Sequence, residues 1–255
     1  MKFDASYISS LLNQDHRVDM RKLDEYRKVK VELGVSKTAE GSAKVTLGET
    51  VVIAGVKLDV GEPFPDNPDE GSIIVSAELS PIASPDFELG PPDSQSIELA
   101  RVVDRGIRES EAIDFKKLCI KEGEKVWIVF VDIYSLNDDG NLQDAAFLAA
   151  MAALKNTKFP KLKDDKVVYG ELTDKKLPLV KEPIECTLVK INGKILADPN
   201  LREEKALSAR LTVAVTKEGN LCALQKGGDK GLSQEDVDKM IDMAIKGTKD
   251  LRKLI

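Results

Sequence analysis

The chain of 255 residues carries 38 Lys and Arg against 44 Asp and Glu, a formal charge of −6, with 42% hydrophobic and 32% charged residues. It is long enough to bury a sizeable core, and too acidic to bind nucleic acid through its whole surface, so any phosphate contact must come from a local basic patch. No apolar run reaches membrane-spanning length, and Met1-Lys2-Phe3-Asp4 leads into a short helix candidate instead of a signal peptide, so a cytoplasmic location is expected.

From the N-terminus, residues 4–14 read as a short helix with Tyr7, Ile8, Leu11 and Leu12 on one side, and Asp19-Met20-Arg21-Lys22-Leu23 as a charged connector. Residues 29–33 alternate as a half-buried strand ended by Gly34. Residues 41–50 and 51–60 form a predicted hairpin turned at Gly48, 61–71 a loop, and 72–79 a β-branched strand. Pro91-Pro92-Asp93-Ser94 then supplies helix-start chemistry for 95–108. After a turn at 121–124, residues 126–134 are the most apolar run and predict a central strand. Residues 137–140 are a turn, and the alanine-rich 144–154, with Phe147, Leu148 and Met151, predicts a buried helix. The lysine, aspartate and proline of 155–185 read as a linker with a small hairpin at Val167-Val168-Tyr169. Strands at 187–191, 194–197, 211–215 and 221–225 precede a final helix, with Ser233 at its N-cap, Asp236 at N3 and an apolar face of Val237, Met240, Ile241 and Ala244. The pattern predicts an α+β chain of two related lobes: an N-terminal helix and connector (1–28), a first lobe (29–155), a linker (156–185) and a second lobe (186–255).

Cys119, Cys186 and Cys222 are odd in number, widely separated and set among apolar residues, which predicts buried thiols. The single His16 cannot build a zinc site with them at these spacings. No metal or organic cofactor is expected.

Within 95–108, Ile97, Leu99, Ala100, Val103 and Ile107 recur near helical spacing. At about 100° per residue, Arg101, Arg105 and Arg108 fall on one stripe within an arc of about 60°. Guanidinium is planar, permanently charged and five-donor, which suits phosphate oxygens. A plainer reading is also open: Glu98 and Asp104 pair with these arginines one turn away, each pair worth only about 0.3–0.5 kcal/mol, and the stripe is a solvated face.

Three stretches carry a resemblance: Ala39-Glu40-Gly41-Ser42-Ala43 followed by Leu47-Gly48-Glu49-Thr50-Val51-Val52; Glu98-Leu99-Ala100-Arg101-Val102-Val103-Asp104-Arg105-Gly106-Ile107-Arg108; and Leu136-Asn137-Asp138-Asp139-Gly140-Asn141-Leu142-Gln143-Asp144-Ala145-Ala146. Over nearly its whole length the chain resembles the RNase PH family of phosphorolytic exoribonucleases, and within it the non-catalytic RNase-PH-like ring subunits of the archaeal exosome. The resemblance implies an RNase PH fold, its first lobe like ribosomal protein S5 domain 2 and its second a further α+β lobe. It implies that the helix contacts single-stranded RNA through Arg101 and Arg105, with Arg108 as a further candidate. It also implies heterodimers with a catalytic RNase-PH-like exosome subunit, three to a hexameric ring that closes by rotation, with RNA-binding cap proteins on one face.

The departures from the active pattern bear on catalysis. Active members look like Gly-Gly-Thr-Arg-Thr where this chain has Gly140-Asn141-Leu142-Gln143-Asp144, so neutral Gln143 stands where an arginine would hold phosphate, and Asp144 is expected to repel the anion. Two aspartates of active members fall on Glu204 and Arg210, and an arginine can neither act as acid and base nor bind a metal. Glu203 and Asp198 are the nearby acidic substitutes, and neither restores a pair at that spacing. The expected function is a non-catalytic RNA-binding and scaffold subunit of a phosphorolytic 3′-to-5′ exoribonuclease ring. Two alternatives stand beside it: an active phosphate-dependent exoribonuclease working through Glu204 and its neighbours, and a purely structural ring spacer.

Overall fold

One helix, α3 (Leu142–Asn156), joins two sheets. A computed structural model of the chain describes residues 5–164 and 166–255, so the reading of Met1 to Asp4 lies outside the described residues. Every α3 residue from Gln143 to Leu154 is buried, as expected of a helix with alanine and large apolar side chains all round. It packs on β2 (Gly41–Leu47) and β3 (Thr50–Gly61) of one sheet and on β9 (Ile184–Ile191) of the other.

The first sheet runs β1 (Val29–Leu33), β2, β3, β6 (Lys125–Asn137), β4 (Ser72–Leu79), with the short β5 (Cys119–Lys121) paired to β6 off this path. Neighbours are antiparallel except β4 and β6, which run parallel. The β2–β3 hairpin turns at Gly48, where φ is +59° and a Cβ would come within 2.5 Å of the Arg27 Cδ, so glycine is required there on both counts. The apolar run of β6 is interior to the sheet, as predicted. From Trp127 on, however, burial alternates: Trp127, Val129, Val131 and Ile133 are buried, while Ile128 and Phe130 are half-buried on the other face. Helix α2 (Ser94–Glu109) lies on β4 and against α3.

The second sheet runs β10 (Lys194–Ala197), β9, β11 (Ala209–Val215), β12 (Leu221–Gly227), antiparallel throughout. Helix α5 (Gln234–Leu251) starts with the predicted Ser233 capping box and sets Met240 and Ala244 against Cys186, Leu188 and Val213. Helix α1 (Ala5–Leu12) covers the other face, placing Ile8 and Leu12 against Val189, Ile191 and Leu196. The N-terminal segment therefore packs with the second lobe although it precedes the first in the chain. Between the lobes, β7 (Lys158–Lys163) and β8 (Lys166–Lys176) form a hairpin longer than the three residues expected.

Three expectations change. Ile97 is 47% exposed, because it lies one turn before Arg101 on the arginine face and not on the buried one. Cys119 and Cys222 are only half-buried, while Cys186 is buried; all three thiols are free. A short helix, α4 (Leu201–Glu204), follows β10 where no element was predicted. No helix among the described residues is long and apolar enough to cross a membrane.

Candidate nucleic-acid interface and adjoining cleft

Helix α2 begins where Asp93 accepts a hydrogen bond from the Ser96 backbone N–H, the usual N-cap chemistry. Burying Leu99, Val102, Val103, Gly106 and Ile107 leaves Arg101, Arg105 and Arg108 exposed on the opposite side. Their environments differ. Arg108 pairs with Asp104 through two hydrogen bonds of 2.8 and 3.1 Å and donates to the Ile73 carbonyl at 2.9 Å. Arg105 makes one long contact, 3.4 Å, to Gln225 Oε1 on β12. Arg101 makes no hydrogen bond or ion pair among the described residues. The solvated-pair reading thus holds for Arg108 and not for Arg101, and Glu98 pairs with none of the three.

Beside α2 lies a cleft of about 330 Å³ whose walls include Leu142, Gln143, Glu204 and Arg210 together with Glu98 of α2 and Asp138. Four of the six positions singled out as departures from the active pattern therefore meet here; Asn141 and Asp144 stand behind it. The charges lining the cleft disfavour an anion. Lys205 is paired with Asp86 at 2.9 Å and Arg210 with Glu98 at 2.5 Å, which leaves Asp138 and Glu204 without an ion-pair partner among the described residues. Burial pushes the Glu204 carboxyl up to about 7, opposed by a hydrogen bond from the Asn141 N–H and reinforced by Asp138. Gln143 Oε1 is buried with no partner among the described residues.

Asp144 corrects one expectation. Its side chain does not face the cleft and cannot be what repels phosphate. It is buried at N3 of α3 and accepts hydrogen bonds from Tyr26 Oη at 2.6 Å, Asn141 Nδ2 at 2.9 Å and the Thr187 N–H at 3.1 Å. Burial outweighs these donors and raises its carboxyl to about 6. Next to it, burial and the Asp144 charge push Glu185 well above the usual carboxylate range. Asn141 is held in the left-handed conformation at the helix N-cap, φ +58°, and ties Asp144 to Asp198.

Glu203 and Asp198, considered as substitute acids, belong to a buried network with the N-terminal connector. Arg17 binds both Glu203 oxygens, at 2.9 and 2.6 Å, with side-chain exposures of 0% and 1%. Asp198 takes Arg27 in a bidentate pair at 2.9 and 2.7 Å and Arg21 at 2.8 Å. Burial pushes the Asp198 carboxyl up, but Arg27 and Arg21 outweigh it and hold the group below its ordinary value. These acids are engaged in fastening the N-terminal connector to the second lobe. Sequence reasoning missed this network and the Glu98–Arg210 pair; an Asn-x-x-Asp cap pattern at 141–144 was the one local signal for where Asp144 points.

Two family profiles cover most of the chain: domain 1 of the 3′ exoribonuclease family, RNase PH, matches residues 25–160, and domain 2 matches residues 181–247. The chain is similar to the exosome complex component Rrp42 of Methanocella arvoryzae, 52% identical over 246 residues covering 96% of this chain and 93% of that protein. It is also similar to Rrp42 of Methanothermobacter thermautotrophicus, 49% identical over 240 residues covering 93% of this chain and 89% of that one. Among solved structures, a chain of the Archaeoglobus fulgidus exosome with RNA bound to the active site superposes with a TM-score of 0.90 at 49% identity, covering 98% of this chain and 96% of the other.

Proposed function

The chain belongs to the 3′ exoribonuclease family of RNase PH proteins, and from that premise we propose that it is a non-catalytic, RNA-binding ring subunit of an exosome. It works beside a catalytic RNase-PH-like subunit, with RNA-binding cap proteins on the ring, and guides single-stranded RNA to its partner's active site. The 52% identical relative is an exosome component, and a similar solved chain comes from an exosome with RNA bound to the active site. The observation that carries the reading is Arg101, exposed on α2 with no counter-ion among the described residues, with Arg105 one turn on. One guanidinium without a counter-ion and a second held only by a 3.4 Å contact to an amide, beside a cleft whose own cations are paired, suit a polyanion that passes along the helix and does not enter the cleft. Arg108, committed to Asp104, contributes less.

Glu204, with a carboxyl near 7, is the one feature that favours an enzyme in its own right, since general acids and bases work best near ambient pH. It is outweighed by the lack, among the described residues, of an unpaired cleft cation to hold phosphate and by the arginine at position 210.

The test is Arg101→Glu with Arg105→Glu in the complex assembled with the catalytic partner, titrated with labelled single-stranded RNA across a salt series. Loss of two phosphate contacts flattens the slope of log K against log salt by about 1.4. An unchanged slope would favour the spacer. The isolated chain, given RNA and inorganic phosphate, releases no nucleoside diphosphate; release would establish the enzyme reading.

A further inference from the structure

Arg101 is flanked on its helix by two carboxylates at one-turn spacing, Glu98 three residues before and Asp104 three residues after. In a free helix either would pair with it. Neither does, because each is held by another arginine: Asp104 by Arg108 of the same helix, and Glu98 by Arg210, which reaches from β11 of the second lobe, 112 residues away in the chain. The Glu98–Arg210 pair is 2.5 Å long with side-chain exposures of 35% and 18%, so it is partly sheltered from solvent. Its seat is shaped for it. Arg210 pairs across the strands with Gly227 of β12, and a Cβ on Gly227 would stand 2.9–3.0 Å from the Arg210 guanidinium. Glycine thus leaves room for that group to lie against the strand. Gln225, two residues earlier on β12, donates its amide N–H to Glu98 Oε1 and accepts from Arg105 with its amide oxygen, both at 3.4 Å. Because a carboxylate only accepts, Glu98 fixes which end of the amide faces it and so leaves an acceptor toward Arg105.

We propose that Arg210, at a position where active relatives carry an acid, is a positioning residue for RNA binding: by holding Glu98 against β12 it keeps that carboxylate off Arg101 and leaves the guanidinium open to phosphate. This rests on the reading of α2 as the RNA-contacting helix. Without Arg210, Glu98 turns to Arg101, neutralises it and sets a negative charge beside the incoming phosphate. An uncompensated unit charge about 4 Å from a phosphate in water corresponds to an about fivefold loss of affinity.

The experiment measures binding of a labelled single-stranded RNA to the ring assembled with the catalytic partner, with thermal unfolding of each variant as a check on folding. Arg210→Met is expected to weaken binding about fivefold, Arg210→Lys to leave it near wild type, and Glu98→Gln added to Arg210→Met to restore it to within about twofold. Restoration is the readout that a purely structural arginine would not give. In the background of Arg101→Ala, Arg210→Met is expected to have no further effect. Where Arg210→Met does not fold, Gly227→Ala displaces the same guanidinium and is expected to weaken binding in the same direction. Unchanged binding in Arg210→Met, or weakened binding that Glu98→Gln fails to restore, overturns the inference while the RNA reading of α2 stands. Unchanged binding in Arg101→Ala overturns both.

Discussion

Arg17 should be among the most consequential residues for stability, although it lies in a segment that reads as a solvated connector. Its side chain is fully buried and makes two hydrogen bonds to Glu203, at 2.9 and 2.6 Å, and further ones to the carbonyls of Ala197 and Asp198, at 2.9 and 2.8 Å. Arg17→Met keeps most of the volume and removes every donor. Glu203 is then a buried carboxylate without its counter-ion, a change that costs about 3–5 kcal/mol, and the Ala197 carbonyl loses the Arg17 donor at about 1 kcal/mol, while the Asp198 carbonyl keeps Arg21 at 3.1 Å. A total near 5 kcal/mol corresponds to a fall in Tm on the order of 10–20 °C for a chain of this size. The assay is urea unfolding followed by the fluorescence of the single tryptophan, Trp127, and by circular dichroism. Glu203→Gln added to Arg17→Met removes the stranded charge but keeps an oxygen for the Asn200 N–H that Glu203 now accepts. The double variant should therefore recover about 2 kcal/mol relative to Arg17→Met. A loss under about 1 kcal/mol in Arg17→Met, or effects that simply add, would refute the claim that this pair fastens the connector to the second lobe.

Stability should fall as pH rises from about 4 to 7, because the folded chain holds protons on Asp144, raised from 3.8 to about 6, and on Glu204, raised from 4.5 to about 7, that the unfolded chain releases. The contribution of these two groups ends above about pH 7, once both are charged in both states, and Glu204→Gln should remove up to about 3 kcal/mol of the decline, measured as unfolding free energy at pH 5 and pH 8. Gly106→Ala should destabilise the chain by about 1–3 kcal/mol in thermal unfolding. Helix propensity alone argues the opposite by about 1 kcal/mol, but a Cβ there meets the Phe147 ring at 2.4 Å and Glu185 Oε1 at 3.0 Å. Gln143→Arg should not confer phosphate-dependent RNA shortening on the isolated chain, because Arg210 stays paired with Glu98 and Asp138 and Glu204 still face the cleft.

Local pattern made most of the fold legible. The extent of β1, the Gly48 turn, the Ser233 cap and the alanine-rich α3 are all written in adjacent residues, and each appears in the structure where it was expected, although the burial of β1 does not keep its alternation to the end, where Leu33 is exposed. β8 was nearly invisible because its strand is polar and mostly exposed, with no apolar alternation to read. Helix α4 was missed because four residues are too few to show a period. At the candidate site the outward stripe of arginines followed from helical spacing alone. Which of them is free did not, since that depends on Arg210 and Gln225, more than a hundred residues away in the chain. The direction of Asp144 was misread for a related reason: the left-handed Asn141 turns the start of α3 so that the third helical residue points inward.

The cleft's surroundings explain how it keeps its shape. The turn between β6 and α3 is pressed against the start of α4 so closely that a Cβ on Gly140 would meet the Leu201 N at 2.4 Å. Across that contact Glu204 accepts from the Asn141 N–H, and Arg27 binds Asp198 while donating to the carbonyls of Asp139 and Gly140. Thr50 closes the ring by donating to Gly140 O. These residues fasten the first lobe to the second, and buried polar networks of this kind are stabilising only when their members are paired. The frame is therefore fixed by folding whether or not the cleft has chemistry to perform. Arg210 adds one more tie between the lobes by reaching from β11 to Glu98 of α2, whereas the buried Gln143 leaves its Oε1 without a partner among the described residues.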